Sequence, residues 1–245
     1  MDGSKTNVHR SVEDCLKALK GTKAIDIFEC ARVGPHVPIK ETIRALAALQ
    51  ENGRIRAIGL SEVSASSIRR AVAIASIAVV EVELSLSAID ILYNGIATTC
   101  EDLNIPILAY GALSRGAFTG KTVRTNAQIP DGDHRKHLPK FQDDVLEQNN
   151  KLVDEIEKLA NRKGCTMPQI AVSWVLKLSG GSLRDGTNLG TIIPLRGTSS
   201  PERGVENIKT ADLTEADMEE LWNVIQAHPV LGARYPAAFQ KYSEY

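Results

Sequence analysis

Apolar positions along this chain follow two alternating patterns. Short apolar runs, bounded by glycine, proline or polar residues, alternate with longer stretches in which apolar residues return every three or four positions. The runs near 25–30, 55–60, 78–83, 106–110 and 191–195 read as strands. Between them the second pattern predicts helices. One starts at Asn7 as cap and runs to about Leu19, with Val8, Val12, Cys15, Leu16 and Leu19 on one face and Gly21 as its stop. Pro38 opens another, lined by Ile39, Ile43, Leu46 and Leu49 or Gln50 and ended by Gly53. A third begins near Ser64 and turns Ile68, Ala71, Val72 and Ala75 inward, and a fourth covers about 93–103.

The second half repeats the pattern. Val153, Ile156 and Leu159 mark one helix, and the capping box of Thr166 and Gln169 opens another with Ile170, Trp174 and Leu178 inside. Thr214 caps a closing helix, with Leu213 and Met218 spaced as a hydrophobic staple. Strands alternating with helices predict right-handed βαβ units on a parallel sheet, with neighbours in sequence adjacent in space. An open doubly wound sheet can use five strands, whereas a closed (β/α)8 barrel needs eight, so counting leaves both open. The G-x-G-x-x-G fingerprint expected of a dinucleotide-binding doubly wound sheet does not follow the first strand.

Composition narrows the class. Of 245 residues 43% are hydrophobic and 24% charged, which suits one globular domain over 1–245 with a sizeable core. Lys+Arg 29 against Asp+Glu 30 leaves no basic excess for a nucleic acid or an anionic membrane. Cys15, Cys30, Cys100 and Cys165 lie far apart without C-x-x-C or a matching histidine spacing, and read as reduced thiols rather than a metal or disulfide framework. His134 and His137 fall in a polar, glycine-containing segment that argues loop, so no metal is expected there. No apolar run reaches membrane-span length and the polar start is no secretory signal, so a cytoplasmic protein is expected.

Three stretches carry candidate chemistry. In 191–207 a buried strand ends in small residues, and Ser200 and Pro201 then cap and open a helix. Free backbone N–H groups and the positive end of the helix dipole there suit a phosphate, with Arg203 one turn in as a fork of donors. In 78–83, alternation turns Val80 and Val82 toward the helices and Glu81 and Glu83 toward the inner face or mouth, where buried carboxylates need partners. The polar segment from about 121 to 143 is long enough to be a functional loop.

Several blocks resemble the aldo-keto reductases: 9–16 (His-Arg-Ser-Val-Glu-Asp-Cys-Leu), 25–28 (Ile-Asp-Ile-Phe), 37–42 (Val-Pro-Ile-Lys-Glu-Thr), 53–61 (Gly-Arg-Ile-Arg-Ala-Ile-Gly-Leu-Ser) and 193–207. The blocks 28–33 and 60–65 are most similar to the fungal pyridoxal reductase branch. The resemblance covers nearly the whole chain in the family's order. It implies a (β/α)8 barrel of the TIM type that reduces a small aldehyde or ketone with NADPH, of the pyridoxal reductase kind or serving fungal secondary metabolism. Carried over residue by residue, Tyr110 stacks on the nicotinamide, and Ser61 and Glu81 bind its carboxamide. Leu113, Ser114, Arg115 and Gly116 belong to the loop crossing the pyrophosphate. Gly197, Thr198, Ser199 and Arg203 hold the 2′-phosphate, and Glu206 and Asn207 the adenine.

Two departures follow from the same comparison. Ala31 stands where most of the family has its active-site histidine, a change the pyridoxal reductase branch shares. The family places three strands before the helix matched by 8–19, carrying its aspartate, proton-donating tyrosine and lysine, and no stretch here matches them. The five strands are therefore expected to be the last five of eight, an incomplete barrel wall, and no catalytic residue is assigned. Tyr110 is taken by stacking, Tyr93 is expected on a helix, and Tyr235, Tyr242 and Tyr245 lie in the carboxyl-terminal tail, so slow or absent turnover is expected. A non-catalytic NADPH-binding module or an inactive fragment is the alternative.

Overall fold

The computed structural model describes residues 2–120, 122–198, 200–240 and 242–244. Five parallel strands form one sheet in the order β1 (Ile27–Cys30), β2 (Ala57–Ser61), β3 (Val79–Glu83), β4 (Ile107–Tyr110) and β5 (Ile192–Pro194). Each pairs with its neighbour in sequence, as right-handed crossovers require. Among the described residues nothing joins β5 back to β1, so the sheet is an open wall of the barrel type.

The helices lie where apolar spacing predicts, with shifts explained by local chemistry. The first helix, α1 (Lys5–Leu19), starts earlier than Asn7. The Ser4 side chain accepts from Asn7 N at 3.4 Å and so takes the cap, while Asn7 Nδ2 donates to Asp2 O at 2.6 Å. α2 (Ile39–Glu51) follows Pro38, and α3 (Ala65–Val72) is capped by Ser64. The helix expected over 93–103 is shorter: a 3-10 turn spans Asp90–Leu92 and α4 covers only Ile96–Asp102. Gly95, in the left-handed region at φ 87, separates them, so Tyr93 lies off any helix and 60% exposed.

α5 (Asp143–Lys163), α6 (Met167–Leu178), α7 (Pro201–Ile208) and α8 (Glu215–Ala227) complete the main helices, and a short α9 (Ala237–Gln240) follows. Both expected capping signals form: Gln169 Oε1 accepts from Thr166 N at 3.1 Å, and Asp217 Oδ2 from Thr214 N at 2.7 Å. The described part of the expected loop, 122–143, condenses into three 3-10 turns around a small core of Ile129, Leu138, Phe141 and Leu146.

Strand alternation decides what is buried. Val80, Val82, Ile58, Ile107 and Ile192 point to the helices and are almost wholly buried in the main core, which includes Ile43, Leu46, Ile68, Ile170 and Trp174. The opposite face is concave and open: Ile27 at one edge and Ile193 and Leu195 at the other stay 40%, 44% and 37% exposed. Near the middle of this face Gly59 leaves room for Glu29, since a Cβ at 59 would sit 2.5 Å from Glu29 Cγ. No helix among the described residues is long and apolar enough to cross a membrane.

Candidate cofactor site at the carboxyl ends of the strands

Ser61 and Tyr110 end β2 and β4 at the mouth of the concave face, and Glu81, in the middle of β3, lies on that same face. Ser61 is buried and in register with Glu81, and Tyr110, the last residue of β4, is in register with Glu83. The three residues expected around a nicotinamide thus share one face. Tyr110 is half-buried, and its hydroxyl donates to Glu62 Oε1 at 2.8 Å. Burial first, and then the nearby Glu62 and Glu83 carboxylates, push its pKa far above the usual phenol range.

Two acidic groups share the rest of this face. Burial beside Glu81 raises the Glu29 carboxyl to about 7, and burial with the Glu62 charge also raises Glu81. Glu83 goes the other way. Burial would raise it, but Arg115 at 3.1 Å and Arg234 at 3.0 Å, with Lys140 behind them, hold it below its ordinary value. Alternation along 78–83 therefore sorts the side chains as expected, Val80 and Val82 into the core and the glutamates to the inner face and mouth.

Beyond β4 the chain turns sharply, with Ser114 and Arg115 both in the left-handed region at φ 50 and 52. A cleft of about 820 Å³ opens here, walled by Gly111, Leu113, Arg115 and Gly116 on one side and Leu195 and Gly197 on the other. Asp133, His134 and Arg135 from the 121–143 loop face into it, which gives that loop a place at the site. Ser114 does not line this cleft, because its hydroxyl is bonded to that of Ser87. The Arg115 side chain runs to Glu83 and the mouth rather than outward.

Leu113, Thr119 and Gly197 also wall a second cleft of about 290 Å³, completed by Thr198, Arg203, Glu206 and Asn207. Ser200 accepts from Arg203 N at 3.3 Å and so caps α7, leaving the guanidinium exposed at the cleft. Asn207 is buried, and its carbonyl accepts from Arg196 Nη1 at 2.7 Å. The remaining residue assigned to the 2′-phosphate, Ser199, lies outside the described residues. The Thr198 hydroxyl donates to Ser200 O at 3.0 Å, which leaves the exposed Arg203 guanidinium, open glycine backbone and an amide around this cleft as donors that fit a phosphorylated adenosine. No group of three or more metal-ligating side chains occurs among the described residues.

Residues that local pattern did not mark complete the mouth. Glu62, fully buried and held at φ 55, pairs with Arg234 at 2.8 Å and lies 4.0 Å from Arg32. Arg234 and Tyr235 belong to the carboxyl-terminal tail, which is folded back over the strand ends rather than trailing from α8. The hydroxyls of Tyr235 and Tyr110 are 2.7 Å apart, and Arg32, Arg115 and Arg234 lie 5.6, 5.1 and 5.4 Å from the centre of the Tyr235 ring. The Glu81/Glu83 alternation was a signal for some such cationic partner, without saying which.

Comparison with known proteins matches residues 1–226 to the aldo/keto reductase family. A probable pyridoxal reductase of Schizosaccharomyces pombe is 37% identical over 239 residues, which is 95% of this chain and 69% of that protein. An aldo-keto reductase of Gibberella moniliformis is 32% identical over 241 residues, 96% of this chain and 69% of its own length. Among solved structures, a glycerol dehydrogenase from Gluconobacter oxydans superposes with a TM-score of 0.79 at 31% identity, covering 95% of this chain and 67% of that one. The chain thus spans about two thirds of the length of these relatives.

Proposed function

Because this chain belongs to the aldo/keto reductase family, we propose that it lays NADPH across the carboxyl ends of its strands and serves the reduction of a small aldehyde or ketone, of the pyridoxal type. The similarity to a pyridoxal reductase and a glycerol dehydrogenase supports carbonyl reduction in general. The observation that carries the choice of cofactor is the cleft uniting Gly197, Thr198, Arg203, Glu206 and Asn207, which shares three walls with the cleft leading to the mouth. Bound there, NADPH supplies the hydride. Arg203 and Thr198 bind the 2′-phosphate, the Leu113–Gly116 turn lies along the pyrophosphate, and Ser61, Glu81 and Tyr110 orient the nicotinamide.

A second reading, nucleotide binding without turnover, is favoured by the chemistry of the mouth. A phenol acts as an acid at neutral pH when its pKa is brought down, and Tyr110 is pushed up by burial and by Glu62. Both readings require the same cofactor contacts.

Titration of the wild type and Arg203→Ala with NADPH and with NADH tests the cofactor assignment. Loss of a charged contact worth about 1.5–3 kcal/mol weakens NADPH by roughly tenfold to a hundredfold and leaves NADH unchanged. Equal affinity of the wild type for both cofactors would remove the assignment.

A further inference from the structure

The tail after α8 is fixed across the mouth at several points. Asn149 clamps Leu231, with Leu231 N donating to Asn149 Oδ1 at 2.7 Å and Asn149 Nδ2 to Leu231 O at 3.0 Å. Gly232, at φ 90, passes so close to the 139–140 turn that a Cβ would lie 2.8 Å from the Pro139 backbone. Arg234 then bonds both Glu62 and Glu83. Farther on, Glu244 accepts from Ser64 N at 2.8 Å and from the Ser67 hydroxyl at 2.9 Å, at the start of α3.

Between these anchors sits the Tyr235 ring. Its hydroxyl accepts from Arg32 Nη2 at 2.9 Å and lies 2.7 Å from that of Tyr110. Arg32 follows β1 and Tyr110 ends β4, so the ring spans the mouth above the ends of β2 and β3, which lie between them in the sheet. Ser61 ends β2, and Glu81, in register with it, lies on the same face two residues before the end of β3. A planar ring, bonded to Tyr110 and flanked by three guanidinium groups, therefore lies over the residues to which the nicotinamide is assigned.

We propose that the tail after α8, through Arg234 and Tyr235, is a latch in which Tyr235 occupies the nicotinamide position, so that the tail and the nicotinamide ring compete for the mouth while the adenosine end of the cofactor binds independently. The proposal rests on the cofactor reading above and adds to it a closed state. A cofactor that binds only the unlatched fraction has its apparent affinity reduced by that fraction. The cleft lined by Thr198, Arg203, Glu206 and Asn207 contains no described residue of the tail, so a ligand held there is expected to be insensitive to the latch.

The test compares NADPH with adenosine 2′,5′-bisphosphate, which lacks the nicotinamide, by titration calorimetry on the wild type, Tyr235→Ala and Tyr235→Phe. Removing the Tyr235 ring and its two hydroxyl contacts is expected to tighten NADPH on the order of tenfold and to leave the bisphosphate unchanged. Tyr235→Phe keeps the ring and loses the hydroxyl contacts, and should fall between. It also serves if the alanine variant melts early. Unchanged or weaker NADPH binding in both variants, with bisphosphate binding intact, overturns the latch and leaves the cofactor reading standing. A wild type that binds neither ligand refutes the cofactor reading and the latch with it.

Discussion

Replacing Arg234 with methionine keeps the aliphatic stem and removes the charge that two buried carboxylates share. Its Nη2 lies 2.9 and 2.8 Å from the two Glu62 oxygens, and its Nε 3.0 Å from Glu83 Oε2. The Glu62 side chain is 0% exposed and that of Glu83 4%, so neither can turn to water when the guanidinium goes. Breaking a buried ion pair from one side costs about 3–5 kcal/mol. Glu83 keeps Arg115 at 3.1 Å and Glu62 keeps the Tyr110 hydroxyl at 2.8 Å, which places the loss near the low end, about 3 kcal/mol. For a chain of this size that is a fall in Tm of roughly 6–12 °C.

The pH dependence separates this cause from simple loss of packing. Because its folded pKa is lowered, Glu83 adds stability that is fully present above its ordinary value of 4.5 and is lost as pH falls through the folded value. Removing Arg234 raises that folded value, so the penalty of the variant is largest at neutral pH and shrinks on acidification below about pH 4.5. Urea unfolding of both proteins across this range measures it. A loss under about 1 kcal/mol at neutral pH, or one equally large in acid, would refute the reasoning.

Glu29→Gln should act in the opposite sense. With its folded value raised to about 7, Glu29 costs nothing below its ordinary 4.5, and wild-type stability is lost as pH rises from there through about 7. The variant should therefore melt higher than the wild type above pH 7 and level with it below 4.5, and a melt difference independent of pH would count against the Glu29–Glu81 pair. For turnover, these 245 residues should oxidise NADPH with pyridoxal at least about 10²-fold more slowly than the same chain preceded by the first three strands of a close relative. Rapid oxidation by the 245 residues alone, abolished by changing one of them, would show that this chain has its own acid.

Much of the architecture is a local property of the chain. The return of Ile39, Ile43, Leu46 and Leu49 on one face makes α2 and buries that face, since a helix with this spacing has one apolar stripe and no other way to cover it. The alternation Val79–Glu83 likewise decides which side chains meet the helices and which meet the mouth, because successive strand residues point to opposite faces. Short crossovers then leave sequential strand order as the natural outcome. The capped start of α7 was legible for the same reason, since Ser200, Pro201 and Arg203 lie within a few residues of one another.

The partners of the buried acids were not legible. Glu62 directly follows β2 with no local pattern to mark it, while Arg234, which neutralises it, lies 172 residues away in a tail without periodicity. Tyr235 and Tyr110 are separated by 125 residues and meet only because β4 ends where the tail crosses. Hydrophobic period records which face of an element is buried, but not which distant charge will lie against it. That pairing depends on how the elements stack and on the high cost of leaving a buried carboxylate uncompensated, so it was decided only when the tail folded over the mouth.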